Sequence, residues 1–241
     1  MSRKYKGIMP AFIHPPQGVS QIFMTAMHNS YRAGVFQHDY VAELGSRPNM
    51  GRTRNGLHFL QSDAEWIFLV DTDMAWEPEA IITLKQFAEK HDKKMISGWA
   101  LILKNGVWPN AYRHDGIGYV PWGEIEPFSL PLKVDAVGGS CVLIHRDIYE
   151  KVAERTQDYT QWLWQDDEYV AELGYQMGED ITFCDRVRRY TGEEIWYHPN
   201  AIFTHIKPTP YGPKEYLRFI SGLRERINAN LHSADIQSTS G

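Results

Sequence analysis

Asp71-Thr72-Asp73 ends an unbroken apolar run, Trp66-Ile67-Phe68-Leu69-Val70. Two carboxylates one residue apart suit a hard divalent cation that also holds a diphosphate. The two acids are expected to divide the labour, Asp73 on the metal and Asp71 on a ribose or a metal-bound water. A second acidic pair, Glu179-Asp180, follows Gly178 at the mouth of a helical pattern over 181–190. A helix dipole stabilises such acids by under ~1 kcal/mol, and that explains the pair taken alone. Beside the aspartates it also reads as a fixed, ionised base able to take a proton from a hydroxyl. His205 closes the apolar segment Ala201-Ile202-Phe203-Thr204 and is the candidate third protein ligand of the metal. Imidazole combined with carboxylate and phosphate oxygens suits Mn²⁺ better than Mg²⁺. Gly51-Arg52-Thr53-Arg54-Asn55 is expected at the start of a helix, where guanidinium forks and helix N-termini favour phosphate.

These residues need a scaffold that gathers them. Five consecutive apolar residues read as a strand buried on both faces, as in a parallel sheet. Open sheets of that kind bind ligands beyond the carboxyl ends of their strands. The pattern predicts a strand over 8–13, a turn at 15–18, and a helix over 19–31 with Ile22, Phe23, Ala26, Met27 and Ser30 on its buried face. Further helices are expected over 53–61 and after Glu77-Pro78-Glu79, where Pro and acids suit a first turn. With a strand over 95–103, the front half reads β-α-β-α-β-α-β. Residues 104–132, rich in Gly, Pro, Trp and Tyr, predict long loops or short antiparallel strands. A strand over 142–144, helices over 148–155 and 181–190, and a strand or extended segment over 195–205 follow. An amphipathic helix over 213–230 and a small polar tail complete the chain. The expected fold is α/β, a Rossmann-like sheet, mixed but mainly parallel, flanked by helices. One domain is expected over 1–232, with a nucleotide-binding half to about residue 103, a sugar- and acceptor-binding half from 104, and a disordered tail over 233–241.

Composition sets outer limits. The 241 residues suffice for one well-packed domain. A net charge of −5 argues against a general polyanion binder. No apolar stretch approaches the roughly 20 residues that span a bilayer, and no signal-like apolar core follows the basic N-terminus. Cys141 and Cys184 make neither a disulfide framework nor a zinc site. A cytoplasmic protein is the expectation.

In order and spacing, these pieces resemble the GT-A-fold glycosyltransferases, most nearly the family 2-like group. The resemblance is carried by Arg52-Thr53-Arg54-Asn55, the run from Trp66 to Asp73, and the segment from Val134 through Gly138-Gly139-Ser140 to Arg146. Gly178-Glu179-Asp180-Ile181-Thr182-Phe183-Cys184 and Ile202-Phe203-Thr204-His205 complete it. Before Arg52 the likeness is weaker, although Pro10-Ala11-Phe12 could occupy the family's nucleotide-base edge. After Lys207 there is none. The resemblance implies a UDP- or GDP-sugar donor and a divalent metal bridging Asp73, His205 and the phosphates. It also implies Asp180 as catalytic base, Glu179 as a neighbour positioning acceptor or donor, and a sugar pocket lined by Gly138, Gly139 and Ser140. One displacement with inversion follows from a base on the acceptor side. Arg52 or Arg54 could pair with the diphosphate.

Three other readings compete. A haloacid dehalogenase-type phosphatase also ends a strand with D-x-D, but wants Thr or Val four residues after the first Asp, where this chain has Ala75. A metal-dependent nucleotidyltransferase usually carries a Gly-rich, basic loop near its N-terminus, which is absent here. A non-catalytic carbohydrate-binding module would explain the aromatics but not the acids. The acceptor stays open between glycan, protein and modified nucleic acid. Trp108, Tyr112, Tyr119, Trp122, Trp162 and Trp164 could stack on it or cover the core. Lys214, Arg218, Arg224 and Arg226 could meet an anionic acceptor or be an ordinary solvated face.

Overall fold

A computed structural model describes residues 5–16, 18–103, 107–155, 163–164, 168–170 and 175–206. Strand β1 (Ile8–His14) leads through α1 (Gln21–Arg32) to β2 (Val41–Leu44), and α2 (Pro48–Gln61) leads to β3 (Trp66–Val70). A tight turn then gives β4 (Met74–Trp76), α3 (Pro78–His91) and β5 (Met95–Trp99). Short strands occupy the middle: β6 (Leu101–Leu103), β7 (Val107–Pro109), β8 (Ala111–His114), β9 (Tyr119–Pro121), β10 (Leu132–Val134) and β11 (Ala136–Val137). The back half holds β12 (Cys141–His145), α4 (Arg146–Arg155), β13 (Glu168–Val170), β14 (Tyr175–Met177), α5 (Glu179–Thr191) and β15 (Ile195–His205).

The main sheet runs β10-β15-β5-β12-β3-β1-β2, with β4 added on β15. Strands β2, β1, β3, β5 and β15 point the same way, while β12, β10 and β4 run against them. The carboxyl ends of β1, β3, β5 and β15 therefore share one edge, and β12 starts there, since Cys141 faces Val70. That edge gathers the D-x-D turn, the Gly138-Gly139-Ser140 approach and His205.

The strand over 66–70 is buried at every position, as its composition predicts. Ile67 and Leu69 join the core under α2, α4 and α5, whereas Trp66, Phe68 and Val70 join the core under α1 and α3. Phe68 lies within ring-contact distance of Phe36, Trp76 and Phe203. Ser20 caps α1, its hydroxyl accepting from Phe23 N at 3.1 Å.

Several elements differ from the sequence reading. Helix α2 begins at Pro48, more than a turn before Thr53, so Arg52 lies inside the helix and not at its mouth. The apolar run over 95–103 breaks into β5 and β6, which sit in different sheets. At the break, Ala100 N donates to the Tyr197 hydroxyl at 3.1 Å and its carbonyl accepts from Asn110 N at 2.8 Å. These bonds redirect the peptide. Ile22, expected on the buried face of α1, is 50% exposed. The helix expected over 213–230 and the tail over 233–241 lie outside the described residues. Among the described residues, no helix is long and apolar enough to cross a membrane.

Arg146 closes the back of the structure. Its side chain is 1% exposed and donates to the carbonyls of Phe59 (2.7 Å), Leu60 (3.3 Å), Ser62 (3.0 Å) and Ala64 (2.8 Å). Helix ends leave their last carbonyls without intrahelical partners, and this guanidinium satisfies those of α2. Arg146→Met keeps the volume but strands the carbonyls. The expected loss is about 3 kcal/mol, read as a lower urea midpoint, since bonds to charged groups contribute most among hydrogen bonds.

Candidate active site

The D-x-D turn follows β3 directly. Asp71 N donates to Ser140 O at 3.1 Å and Met74 N to Asp71 O at 3.2 Å, so the turn is tied to the segment entering β12. The two aspartates face different partners. Asp71 Oδ1 accepts from Arg52 Nη2 at 3.2 Å. Asp73 Oδ2 lies 3.0 Å from His205 Nε2.

Arg52 is the hub. It is 7% exposed, one nitrogen bonded to Asp71 and the other to Glu179, and its guanidinium lies 5.2 Å from the centre of the Trp164 ring. Gly139 supplies the space, because a Cβ there would collide with the guanidinium. Burial opposes the arginine's charge, but Asp71, Glu179 and Asp180 outweigh it and raise its pKa. Burial pushes the Asp71 carboxyl above the ordinary range, Arg52 pulls it back, and Asp73 adds to the rise. Glu179 behaves alike, with Asp180 in the role of Asp73.

Glu179 and Asp180 open α5 behind Gly178. Asp180 Oδ1 accepts from Ile181 N at 2.8 Å, which fixes the carboxylate on the first turn. Burial raises the pKa of Tyr112 and the charge of Asp180 adds to it, as it adds to the effect of Asp71 and Glu179 on Arg52. Asp71, Glu179 and Asp180 thus converge on one guanidinium, and Asp73 and His205 stand beside Asp71 across the turn.

His205 reaches the edge because β15 changes partners. The strand pairs with β10 up to Tyr197 and with β4 from Phe203, and between the two a register shift from His198 to Ile202 interrupts its pairing with β5. Bulges of this kind bend a strand and re-aim side chains. His205 Nδ1 donates to Leu101 O at 2.9 Å, which fixes the ring with Nε2 facing Asp73. A backbone carbonyl on the far ring nitrogen is the usual support of a metal-binding histidine. An oxygen and a nitrogen donor side by side, in a cluster where carboxylates outnumber cationic groups, fit a divalent cation. Among the described residues no three His, Cys, Asp or Glu side chains form a ready-made metal cage.

The remaining candidates divide. Asn55 is buried, its amide nitrogen donating to Phe12 O at 3.1 Å, so it ties α2 to β1. Arg54 turns outward to Glu43 at 3.2 Å. The small residues Gly138 and Ser140 accommodate Asn110: a Cβ on Gly138 would collide with its amide, which donates to Gly138 O at 3.2 Å and Ser140 Oγ at 2.6 Å. Asn110 gives no sequence signal beyond lying in an irregular segment, and only the fold reveals it. A recess lined by Phe12, Ile13, Arg52, Asn55, Asp71 and Gly139 encloses about 10 Å³. Of the aromatics, Trp164 is core, stacked on Phe183 at 4.0 Å, while Trp108 is 37% exposed. Tyr112, Tyr119 and Trp122 are half-buried, and Trp162 lies outside the described residues.

Comparison with known proteins bears on the family and the fold. The model of the glycosyltransferase-like family 2 matches residues 18–219, beginning before Arg52 and continuing past Lys207, where the sequence reading found little or no likeness. No curated protein matches. Among solved structures, A197 from STIV is 16% identical with a TM-score of 0.52, the alignment covering 85% of this chain and 96% of that one. GalNAc-T7, solved with UDP, GalNAc and Mn²⁺, is 9% identical with a TM-score of 0.54, over 83% of this chain and 44% of that one. At these identities the structural likeness speaks for the fold alone, which is GT-A-like. With the family match spanning most of its length, the chain belongs to the glycosyltransferase-like family 2 and is a glycosyltransferase.

Proposed function

We propose that the chain moves a sugar from a UDP- or GDP-linked donor to an acceptor hydroxyl, with inversion at the anomeric carbon. The observation that carries this reading is the Asp71–Arg52–Glu179 bridge, which ties the D-x-D turn to the helix bearing Asp180. Donor-side and acceptor-side acids are thereby held at one edge. The presence of UDP and Mn²⁺ with GalNAc-T7 is consistent with the same donor class here.

In this reading Asp180 takes the acceptor proton while the acceptor oxygen bonds to the anomeric carbon. The bond from that carbon to the diphosphate oxygen breaks, and its electron pair leaves with the nucleoside diphosphate. Asp73 and His205 would hold a divalent cation, Mn²⁺ in preference to Mg²⁺, which when bound supplies charge neutralisation for the leaving diphosphate. Asp71 accepts from a ribose hydroxyl. Glu179 orients donor or acceptor beside the base. Gly138, Gly139 and Ser140 border the sugar, and Asn55 and Arg52 border the recess next to Asp71. Arg54, exposed on α2, is the guanidinium free to swing toward phosphate once it leaves Glu43. The front half would bind donor, the back half acceptor.

Asp73→Asn should weaken Mn²⁺-dependent donor binding by at least the ~10–100-fold seen for outer-shell groups. Calorimetric titration with nucleoside diphosphate, with and without Mn²⁺, measures it; unchanged binding would remove Asp73 from the site. Asp180→Asn should lower kcat by about 10²–10⁴-fold while donor affinity holds. The anomeric proton coupling of the product reports inversion directly, and a retained configuration overturns the assignment of Asp180. Arg52→Met leaves the partly exposed carboxylates of Asp71 and Glu179 without their cation and should cost about 1–3 kcal/mol. Adding Glu179→Gln to that background should recover part of the loss in the same urea titration.

A further inference from the structure

A groove of about 580 Å³ lies between α1, α3 and the β4·β15 ribbon. That is within the ~300–1,000 Å³ of small-molecule sites. It is separate from the acidic cluster. Asn200, Ile202 and Thr204, alternate residues of β15, line it, and so does Ala75, which pairs with Thr204. His205, next in sequence, turns instead to Asp73. One ribbon therefore forms the wall of the groove and carries the metal-site candidates at its end.

The lining has a definite chemistry. Thr25, Thr83, Asn200 and Thr204 offer hydroxyls and an amide, and Glu77 and Glu79 offer carboxylates. No Lys, Arg or His is among the described residues that line it. Hydroxyls and amides both donate and accept, whereas carboxylates only accept, so the ligand must bring hydrogen-bond donors. Among the described lining residues two acids stand without a cation, a balance that repels phosphate, sulfate and nucleotides. The apolar part includes Ile22, Ala75 and Ile202, and the half-exposed Ile22 leaves apolar surface that α1 does not bury. A pyranose, with hydroxyls at its rim and C–H groups on its face, matches this mixture. The volume of the groove, about 580 Å³, has room for more than one ring.

We propose that the groove binds a neutral oligosaccharide, as a subsite for acceptor units remote from the reacting hydroxyl. The acceptor role rests on the transferase reading above and extends it, by placing remote acceptor units against α1 and α3 of the front half; the binding itself does not rest on it. The test uses the full chain labelled with ¹⁵N, titrated with neutral trisaccharides of glucose, mannose and N-acetylglucosamine, and separately with a sulfated trisaccharide and with spermidine. Release of nucleoside diphosphate from donor without acceptor is followed in parallel. A neutral trisaccharide should shift the amides of Thr25, Thr83 and Thr204 saturably. Thr25→Trp and Thr83→Trp should each raise its Kd about tenfold or more, leaving donor hydrolysis unchanged. Thr25 is exposed on α1, so the exposed variant Thr25→Arg provides a second readout if the bulkier one fails to fold. A dispersed spectrum that no neutral saccharide perturbs overturns the proposal. So does a preference for the sulfated sugar or spermidine at the same amides, or unchanged affinity in the variants. Groove shifts without any donor hydrolysis support the subsite and count against the transferase reading instead.

Discussion

A buried guanidinium cannot stay charged in the interior without partners, and Arg52 has two carboxylates from opposite halves of the chain. Such bridges add little net stability over apolar packing, yet breaking one is costly. What the bridge provides is therefore position. Asp71 belongs to the turn after β3, Glu179 to the first turn of α5, and Arg52 to the middle of α2. If any of the three elements shifts, a charge loses its partner. Gly139 is part of the same constraint, since only a residue without a side chain leaves room for the arginine. Trp164 gives the guanidinium a face to lie against and is itself fixed by Phe183 and by a bond to the Tyr149 hydroxyl at 3.1 Å.

The same logic of borrowed partners governs His205. Its ring direction is set from Leu101, a residue that only reaches this edge because the chain turns at Ala100. The turn depends on Tyr197, in the first half of β15, and His205 ends the second half. Strand β15 thus fixes both the histidine and the carbonyl that orients it. With Ile206 N donating to Asp73 O at 2.6 Å, backbone and side chain both hold the aspartate against this strand.

Much of this was legible in the chain. The run over 66–70 is apolar at every position because both faces of β3 are covered, and no other element explains two acids immediately after it. Glu179 and Asp180 stand out because a helix start favours them whatever their chemistry. The role of Arg52 was not legible. Its partner Glu179 is 127 positions away, and no local pattern distinguishes an arginine that bridges carboxylates from one that awaits phosphate. Asn110 was hidden for the same reason. The early start of α2 had a signal, Pro48 at the first turn, that the apolar spacing from Thr53 onward outweighed. The division of β5 from β6 had none, since hydrophobicity continues through a break made by hydrogen bonds to distant residues.

These dependencies bear on how the fold keeps its chemistry while its surfaces vary. The acids and the histidine sit at strand ends and a helix start, positions that the sheet order defines and that side-chain exchange in the core hardly moves. The small residues around them are complementary to Arg52 and Asn110, so their tolerance is set by those two side chains. An exchange of Gly139 for alanine would have to displace the guanidinium, and with it the charge balance of Asp71 and Glu179. The short strands between β5 and β12, by contrast, meet the site through the Asn110 side chain, the Leu101 carbonyl and Tyr112, which feels the Asp180 charge. They have room to vary so long as those contacts are kept.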